Sequence, residues 1–471
     1  SRGLGDVYKR QMYKIDFNHP CHVHFIGIGG ISMSGFAELL HSFDFTVTGS
    51  DWHESKITDH LESLGIQVVY GQKAENITDS IDLVVYTAAV KSDNPEIVRA
   101  KELEIPMMER AAMVGQVMKN YSSAIAISGT HGKTTTTSIA SHVFLEADLD
   151  PTISVGGILP AIGGNIRVGH SENFITEACE YTNSFLKFFP TVGIILNIEE
   201  DHMDFFKDLA DIRHSFRKFA ELIPAHGTLI INRDIDDYQE ITEGLSCKVI
   251  TYSVDKEDAD FTAKNISFDN ECHGSFDLYV NGEKKEHYHL NVVGLHNVSN
   301  TLACLALASL YGIGYDTIQR ALTAFHGTDR RFELKGVKNG FTIIDDYAHH
   351  PTEIAATLKA ARNYPHKTLW CAFQPHTYTR TKAFLKDFAS SLALADKVIL
   401  ADIYAAREKD PGDISSQNIA DELKKLGKEV FYFHSFDEIE KFILENLVHG
   451  DLLITMGAGN IVEIGENILK A

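Results

Sequence analysis

AIAISGTHGKTTTTSIAS, Ala124 to Ser141, is the stretch on which the reading of this chain turns. An apolar strand runs into a glycine-bearing turn, and a lysine followed by four threonines opens a helix. Gly129 and Gly132 let backbone N–H groups approach phosphate oxygens closely, the helix N-terminus adds partial positive charge, and Lys133 adds a full one. Thr134 would offer its hydroxyl to a magnesium ion, and Thr130, His131 and Thr135 complete a loop suited to a nucleoside triphosphate. The pattern GxxxxGK[ST] asks for glycine where Ile127 stands, so the reading rests on the strand, turn and helix around Gly-Lys-Thr. An ordinary strand-turn-helix junction is the plain alternative.

Before this stretch, from Cys21, the chain reads as strand HVHFIGI, a glycine turn, a helix through His41, strand FTVTGSD, a helix to Leu64, and strands IQVVY and DLVVYTA. Gly27, Gly29 and Gly30 stand where a diphosphate cradle belongs. GIGGISMSG carries Ser32 where the dinucleotide fingerprint needs its third glycine, which speaks against a nicotinamide cofactor, and Asp51 ends the second strand where an acidic residue can bind a ribose. Beyond Ser141 come buried strands VGIILN (192–197) and TLIIN (228–232). Alternation over 260–293 predicts an antiparallel hairpin turning at Asn281-Gly282, and a helix follows from Asn297 to Tyr311. A third α/β run begins after Gly327 with FTIIDD, a helix from Thr352 to Arg362, TLWCAF, a helix to Leu394, KVILAD and DLLITM.

The expected fold is therefore α/β in three domains, each on a doubly wound, mainly parallel sheet, the central one with a small antiparallel subsheet. The expected boundaries are 12–114, 115–327 and 328–471. Residues 1–11, SRGLGDVYKRQ, are set aside as a cloning or sequencing remnant.

The 471 residues carry a formal charge of -22, which argues against a nucleic-acid partner and against an anionic membrane surface. Anionic ligands must then be held by local devices. The six cysteines, Cys21, Cys179, Cys247, Cys272, Cys304 and Cys371, are scattered without CxxC pairing, which suits a reducing cytoplasm better than a disulfide framework or a zinc site. No apolar run approaches the roughly 18 residues of a spanning helix, and no signal peptide is expected.

Turnover of a triphosphate needs metal ligands and cations for the charge that develops on the transferred group. Glu177 ends an apolar run, and NIEEDHMD places Glu199, Glu200, Asp201, His202 and Asp204 straight after a buried strand, where ligands gather in α/β sheets. Glu177 suits a hard cation and His202 is a less usual ligand to a second one, whereas Glu199, Glu200 and Asp204 are expected to cap the next helix and face water. GTDRRFEL supplies two arginines at a domain junction, one of which would reach the terminal phosphate. DDYAHHPTE offers Asp345 or Asp346 for a ribose and His349 or His350 for a carboxylate, and QPHTYTRT adds His376 and Arg380 at the next strand end.

As an ordered set, HFIGIGGISMSG, SGTHGKTTTT, EACEYTNSF, NIEEDHMD, GLHNVSN, GTDRRFE, DDYAHHPTE, FQPHTYTRT and DIYAARE resemble the Mur ligase family over nearly the whole chain from Met12. The resemblance implies an N-terminal UDP-binding domain, a central ATPase domain and a C-terminal Rossmann-like domain that admits an amino acid. It implies a cytoplasmic enzyme, a monomer or weak homodimer, that uses ATP and Mg2+ to join L-alanine to the lactyl carboxylate of UDP-N-acetylmuramate through an acyl phosphate. A family ligase that attaches a whole peptide, a nicotinamide-dependent oxidoreductase and a nucleotide-binding regulator without turnover are the rival readings.

Carried over by position, Gly27, Gly29 and Gly30 resemble the UDP diphosphate loop, with Ser32 and Asp51 beside it. Lys133 and Thr134 resemble the phosphate lysine and the magnesium threonine, and Glu177 and His202 the remaining metal ligands. His296 and Asn297 resemble the adenine contact, Arg331 the γ-phosphate arginine, Asp346 the ATP ribose ligand, and His350 with Arg380 the group that orients the amino acid. His202 or His350 would take the proton of the incoming amine. Relatives carry more acidic residues across EACEYTN, and some carry arginine where Thr377 stands.

Overall fold

Strands whose residues are apolar on both faces, such as Val192–Ile195 and Leu452–Met456, can be buried only in sheets covered by helices on each side. The computed structural model, which describes residues 14–87, 89–406 and 408–470, contains three such sheets. The segment 1–11 and Arg407 of DIYAARE lie outside the described residues.

The first sheet holds β1 (His22–Ile26), β2 (Thr46–Asp51), β3 (Gln67–Tyr70), β4 (Leu83–Tyr86) and β5 (Met107–Glu109), all parallel in the order β3-β2-β1-β4-β5. Its order reverses beside β1, and the glycine turn after β1 opens into that crevice.

The central sheet has ten strands: β6 (Ser123–Ser128), β7 (Thr152–Leu159), β8 (Gly164–Arg167), β9 (Asn173–Ala178), β10 (Val192–Ile195), β11 (Thr228–Asn232), β12 (Lys248–Ser253), β13 (Phe261–Phe268), β14 (His273–Val280) and β15 (Glu283–Val293). Their order is β15-β14-β13-β12-β11-β10-β6-β9-β7-β8. The predicted hairpin is present: Val280 pairs with Glu283, and Asn281 and Gly282 both take positive φ, as a two-residue turn requires. A second antiparallel hairpin, β7–β8, has no counterpart in the sequence reading.

The third sheet holds β16 (Glu333–Lys338), β17 (Phe341–Asp346), β18 (Leu369–Phe373), β19 (Lys397–Leu400), β20 (Glu429–Tyr432) and β21 (Leu452–Met456) in the order β16-β17-β21-β18-β19-β20, with β16 antiparallel at the edge. The helix expected to run unbroken to Leu394 is two helices, Tyr378–Ala383 and Leu385–Leu392, that meet at Phe384.

The two inter-domain seams differ in kind. One apolar cluster runs without a break from Phe25 and Phe36 of the first domain through Met113, Val114 and Phe185 to Phe216 beneath the central sheet. Burying each such aromatic side chain contributes on the order of 1.5–3 kcal/mol. The contact is close: a Cβ on Gly115 would lie 1.9 Å from the Lys187 carbonyl oxygen, so only glycine fits. The third domain keeps its own apolar layers on the two faces of its sheet, and it meets the central domain through charged and polar groups.

Candidate active site

β6 ends at Ser128 and, after four intervening residues, the helix Lys133–Glu146 begins. Gly132 caps that helix with φ 82, a left-handed value that glycine adopts freely, and the turn places Lys133 back over the loop. Its ammonium donates to the carbonyls of Gly129 (2.5 Å) and Thr130 (3.1 Å) and lies 3.0 Å from Glu180 Oε2. Burial pulls the ammonium towards neutrality, but Glu180 and its anionic neighbours outweigh this and hold its pKa above the ordinary lysine range. Glu180 is 2% exposed and also faces His202, whose Nε2 is 3.7 Å from Glu180 Oε1 and 3.7 Å from Asp201 Oδ2. His202 takes φ 54, and its ring stacks on Tyr181, 4.5 Å between centroids.

Thr134 donates its hydroxyl to Glu177 Oε2 at 3.2 Å, and Gly156 of β7 donates its N–H to Glu177 Oε1 at 2.5 Å. Burial pushes the Glu177 carboxyl up against these two donors. A hydroxyl and a carboxylate side by side at a phosphate loop are hard oxygen donors of the kind magnesium takes. A Cβ on Gly156 would lie 2.8 Å from Glu177 Oε2, so the hairpin β7–β8 closes against this carboxylate. The same hairpin reaches the first domain, where Asn165 donates to the Ile31 carbonyl at 3.2 Å.

In the first domain, Gly29 N–H donates to Asp51 Oδ2 at 2.8 Å and the N–H groups of Gly27 and Ile28 both donate to Ser50 O. Gly30 precedes the helix Ile31–Ser42. The Asp51 carboxylate therefore braces the glycine loop by accepting one of its N–H groups. Ser32 accepts from Arg110 at 2.9 Å, so the loop has a cation that the sequence reading missed. Its signal was its position, at the end of β5 in the same sheet.

The third domain brings three groups onto the segment that follows β10 and one, Glu353, onto the phosphate loop. Arg380 donates through Nε (3.1 Å) and Nη2 (2.9 Å) to Asp201 Oδ1, with the two side chains 10% and 7% exposed. Burial alone would raise the Asp201 carboxyl, but Arg380 and the neighbouring imidazoles hold it far below the carboxylate range. His350 donates from Nε2 to the Glu200 carbonyl (2.9 Å) and accepts Thr352 N–H on Nδ1. Thr352 donates to Glu199 at 2.6 Å. Glu353 lies 3.3 Å from His131 Nδ1 and 3.7 Å from Arg331. His131 thus sits between Glu353 and Glu199. Burial opposes its protonation, but the two carboxylates raise its pKa to about 9.

Several expectations need correction. Glu199 was expected to face water; instead it is drawn into the seam by Thr352 and His131, because it lies opposite the third domain. Glu200 and Asp204 are exposed as expected. Thr130 turns its hydroxyl onto the backbone of Glu199, and Thr135 is buried, at 8% exposure. Asp346 is 5% exposed and accepts N–H groups of Phe332 and Ala348, with its carboxyl raised to about 6 by burial. Asp345 is fully buried against Arg330, which also donates to the carbonyls of Gly457 and Gly459; of the arginine pair, Arg331 alone remains at the seam. Asn297 donates to Val293 O and accepts from Asn300, while the exposed His296 lines a cleft of about 1040 Å³. Ser299, Glu199 and Gly294 form one wall of that cleft and His350, Lys359 and Phe384 the other. Thr377, at φ 66, caps the helix that carries Arg380.

A phosphate loop at the end of a central strand, with a lysine and a threonine–glutamate pair inside it and a separate α/β domain clasped over it, defines a nucleoside-triphosphate-using enzyme that assembles its site between domains. Three family profiles match in succession: "Mur ligase family, catalytic domain" over 22–122, "Mur ligase middle domain" over 127–308 and "Mur ligase, glutamate ligase domain" over 330–459. A relative named UDP-N-acetylmuramate--L-alanine ligase from Lachnoclostridium phytofermentans is 59% identical over 98% of this chain and 100% of its own, and one of the same name from Agathobacter rectalis is 59% identical with the same coverage. The crystal structure of UDP-N-acetylmuramate-alanine ligase from Thermotoga maritima superposes with TM-score 0.78 at 31% identity, over 95% of this chain and 98% of that one. A murein peptide ligase from Psychrobacter arcticus gives 0.68 at 26%, over 96% and 98%. The chain belongs to the Mur ligase family, whose members are ATP-dependent ligases.

Proposed function

We propose that this protein joins L-alanine to the lactyl carboxylate of UDP-N-acetylmuramate, with ATP cleaved to ADP and phosphate, in peptidoglycan precursor synthesis. The observation that carries the reading is the meeting of Lys133, the Thr134–Glu177 pair and Arg380–Asp201 around one loop. The relatives' names supply the substrates. Domains at 12–114, 115–327 and 328–471, a cytoplasmic setting, and a monomer or weak homodimer belong to the same proposal.

In the first step the lactyl carboxylate attacks the γ-phosphorus, so two anions must be brought together. Lys133 and Arg331 would supply fixed positive charge, worth most in a site with little water. Mg2+, held by Thr134, Glu177 and His202, would supply further neutralisation of phosphate charge. Gly27, Gly29 and Gly30, with Ser32, Asp51 and Arg110 around them, would hold the UDP diphosphate. Asn297, His296 and Asp346 keep their proposed roles at adenine and ribose, with Asp346 acting only after release of a backbone contact. In the second step the amine of alanine attacks the acyl carbon, the C–N bond forms as the C–O bond to phosphate breaks, and phosphate and the amine's proton leave. His350 has both ring nitrogens engaged, which supports an orienting role rather than that of a proton acceptor.

Phosphate release with ATP, magnesium and UDP-N-acetylmuramate tests the proposal. Strong stimulation by L-alanine, above glycine, serine and a tripeptide, is expected. Stimulation by the tripeptide alone, or by no amine, would refute it.

A further inference from the structure

Among the described residues, every hydrogen bond to the Asp201 side chain falls on one oxygen. Oδ1 accepts from Arg380 Nε and Nη2 and from the His202 N–H, whereas among the described residues Oδ2 meets only His202 Nε2, at 3.7 Å. The guanidinium turns Nε and Nη2 to Asp201, and Nη1 meets His376 Nδ1 at 3.2 Å. His376 is a fixed acceptor, since burial holds its pKa near 4, and its ring stacks on Tyr404. With five N–H donors and three contacts the guanidinium keeps donors to spare, so this buried ion pair presents a positive and a negative group side by side.

We propose that Asp201 is a substrate-binding residue, which receives the α-ammonium of the incoming amino acid on Oδ2 while Arg380 takes its carboxylate. The inference rests on the reading of Arg380 as the carboxylate ligand. An α-amino acid at neutral pH carries its two opposite charges on neighbouring atoms, so a side-by-side anion and cation match it as a unit. Each of the pair lies in a different domain, Asp201 after β10 and Arg380 in the helix Tyr378–Ala383. The zwitterion site therefore exists only when the third domain is docked, and amino acid and closure favour each other. The arrangement also discriminates: an amine without a carboxylate, or an acid without an amine, engages half of it.

The test uses the full-length enzyme with ATP, magnesium and UDP-N-acetylmuramate, and three probes: L-alanine and L-alaninamide as acceptors, and propionate as a competitor of alanine. Asp201→Asn keeps an acceptor for Arg380 and removes the negative charge. It is expected to raise KM for L-alanine and L-alaninamide alike by roughly tenfold or more, as for loss of a hydrogen bond to a charged group, and to leave propionate inhibition near that of the parent enzyme. Arg380→Lys is expected to weaken L-alanine and propionate and to spare L-alaninamide. If Asp201→Asn leaves the KM for L-alanine unchanged or lowers it while Arg380→Lys raises it, the inference falls and the reading of Arg380 stands. If Asp201→Asn weakens propionate as much as L-alanine, Asp201 acts through Arg380 and the direct contact is refuted. If Arg380→Lys affects no probe, the underlying reading of the site falls first.

Discussion

Replacing Lys133 by methionine should damage the free protein as well as its chemistry. The ammonium lies 3.0 Å from Glu180, with the two side chains 16% and 2% exposed. Removal of one member of a buried pair leaves an uncompensated charge, at a cost of roughly 3–5 kcal/mol. Residual solvent access at the lysine favours the lower end, about 3 kcal/mol. For a domain of about 200 residues that corresponds to a fall of roughly 6–12 °C in the melting transition. Lys133→Met combined with Glu180→Gln removes both charges and should recover all but about 1 kcal/mol. Differential scanning calorimetry without nucleotide measures both variants, and phosphate release measures turnover, which should be abolished in each. UDP-N-acetylmuramate binding by titration calorimetry should survive in the double variant. If the single variant melts with the parent protein, or the double variant stays as low as the single, Glu180 is not the internal counter-ion of this lysine. Normal turnover in either variant would remove the argument from the phosphate loop.

The pH dependence of closure should run one way. His131 is drawn towards Glu199 and Glu353, with the His350 ring 4.7 Å away, and its pKa is raised from 6.5 to about 9 in this setting. A raised pKa means that the clasp is fully formed below the ordinary value and is lost as pH rises through about 9. Energy transfer between dyes on the central and third domains should report opening from about pH 7 to 9, flattened by Glu353→Gln; opening on acidification would contradict the assignment. The adjacent arginines should separate cleanly. Arg330→Ala strips the counter-ion from fully buried Asp345 and should cost about 3 kcal/mol of stability. Arg331→Ala, 3.7 Å from its nearest carboxylate, should leave melting within about 0.5 kcal/mol and lower kcat by roughly a hundredfold; equal effects in both assays would show that the two are not divided this way.

What could be read from the chain is what local chemistry dictates. Positive φ at Gly132, the Asn281-Gly282 turn and the apolar strands around them are each written in a few consecutive residues. Three sheets follow from those strands, because such segments have no other way to satisfy their backbones. The hairpin β7–β8 escaped because its register slips between Ser154 and Leu159, which breaks the period-two signal. Pairings across domains were out of reach for a different reason. Asp201 and Arg380 are 179 positions apart, and nothing near either names the other. Arg330 and Arg331 are neighbours of one residue type, and only the direction of the backbone after Thr328 sends one inward and leaves the other at the seam. Glu180 stood in view within EACEYTNSF, and the need of a buried lysine for a counter-ion was the clue that could have singled it out.

The carboxylates beside the loop give the resting molecule a further property. Lys133 already rests on Glu180 and Arg331 already leans towards Glu353, so the charges that would greet a triphosphate are neutral in sum before it arrives. Arrival is then an exchange of one anion for another, and a dissociation constant records the difference between two sets of attractions rather than the strength of either. A tight hold on the outgoing phosphate is avoided by the same means, since a resident acid stands ready to take back each cation as the product departs.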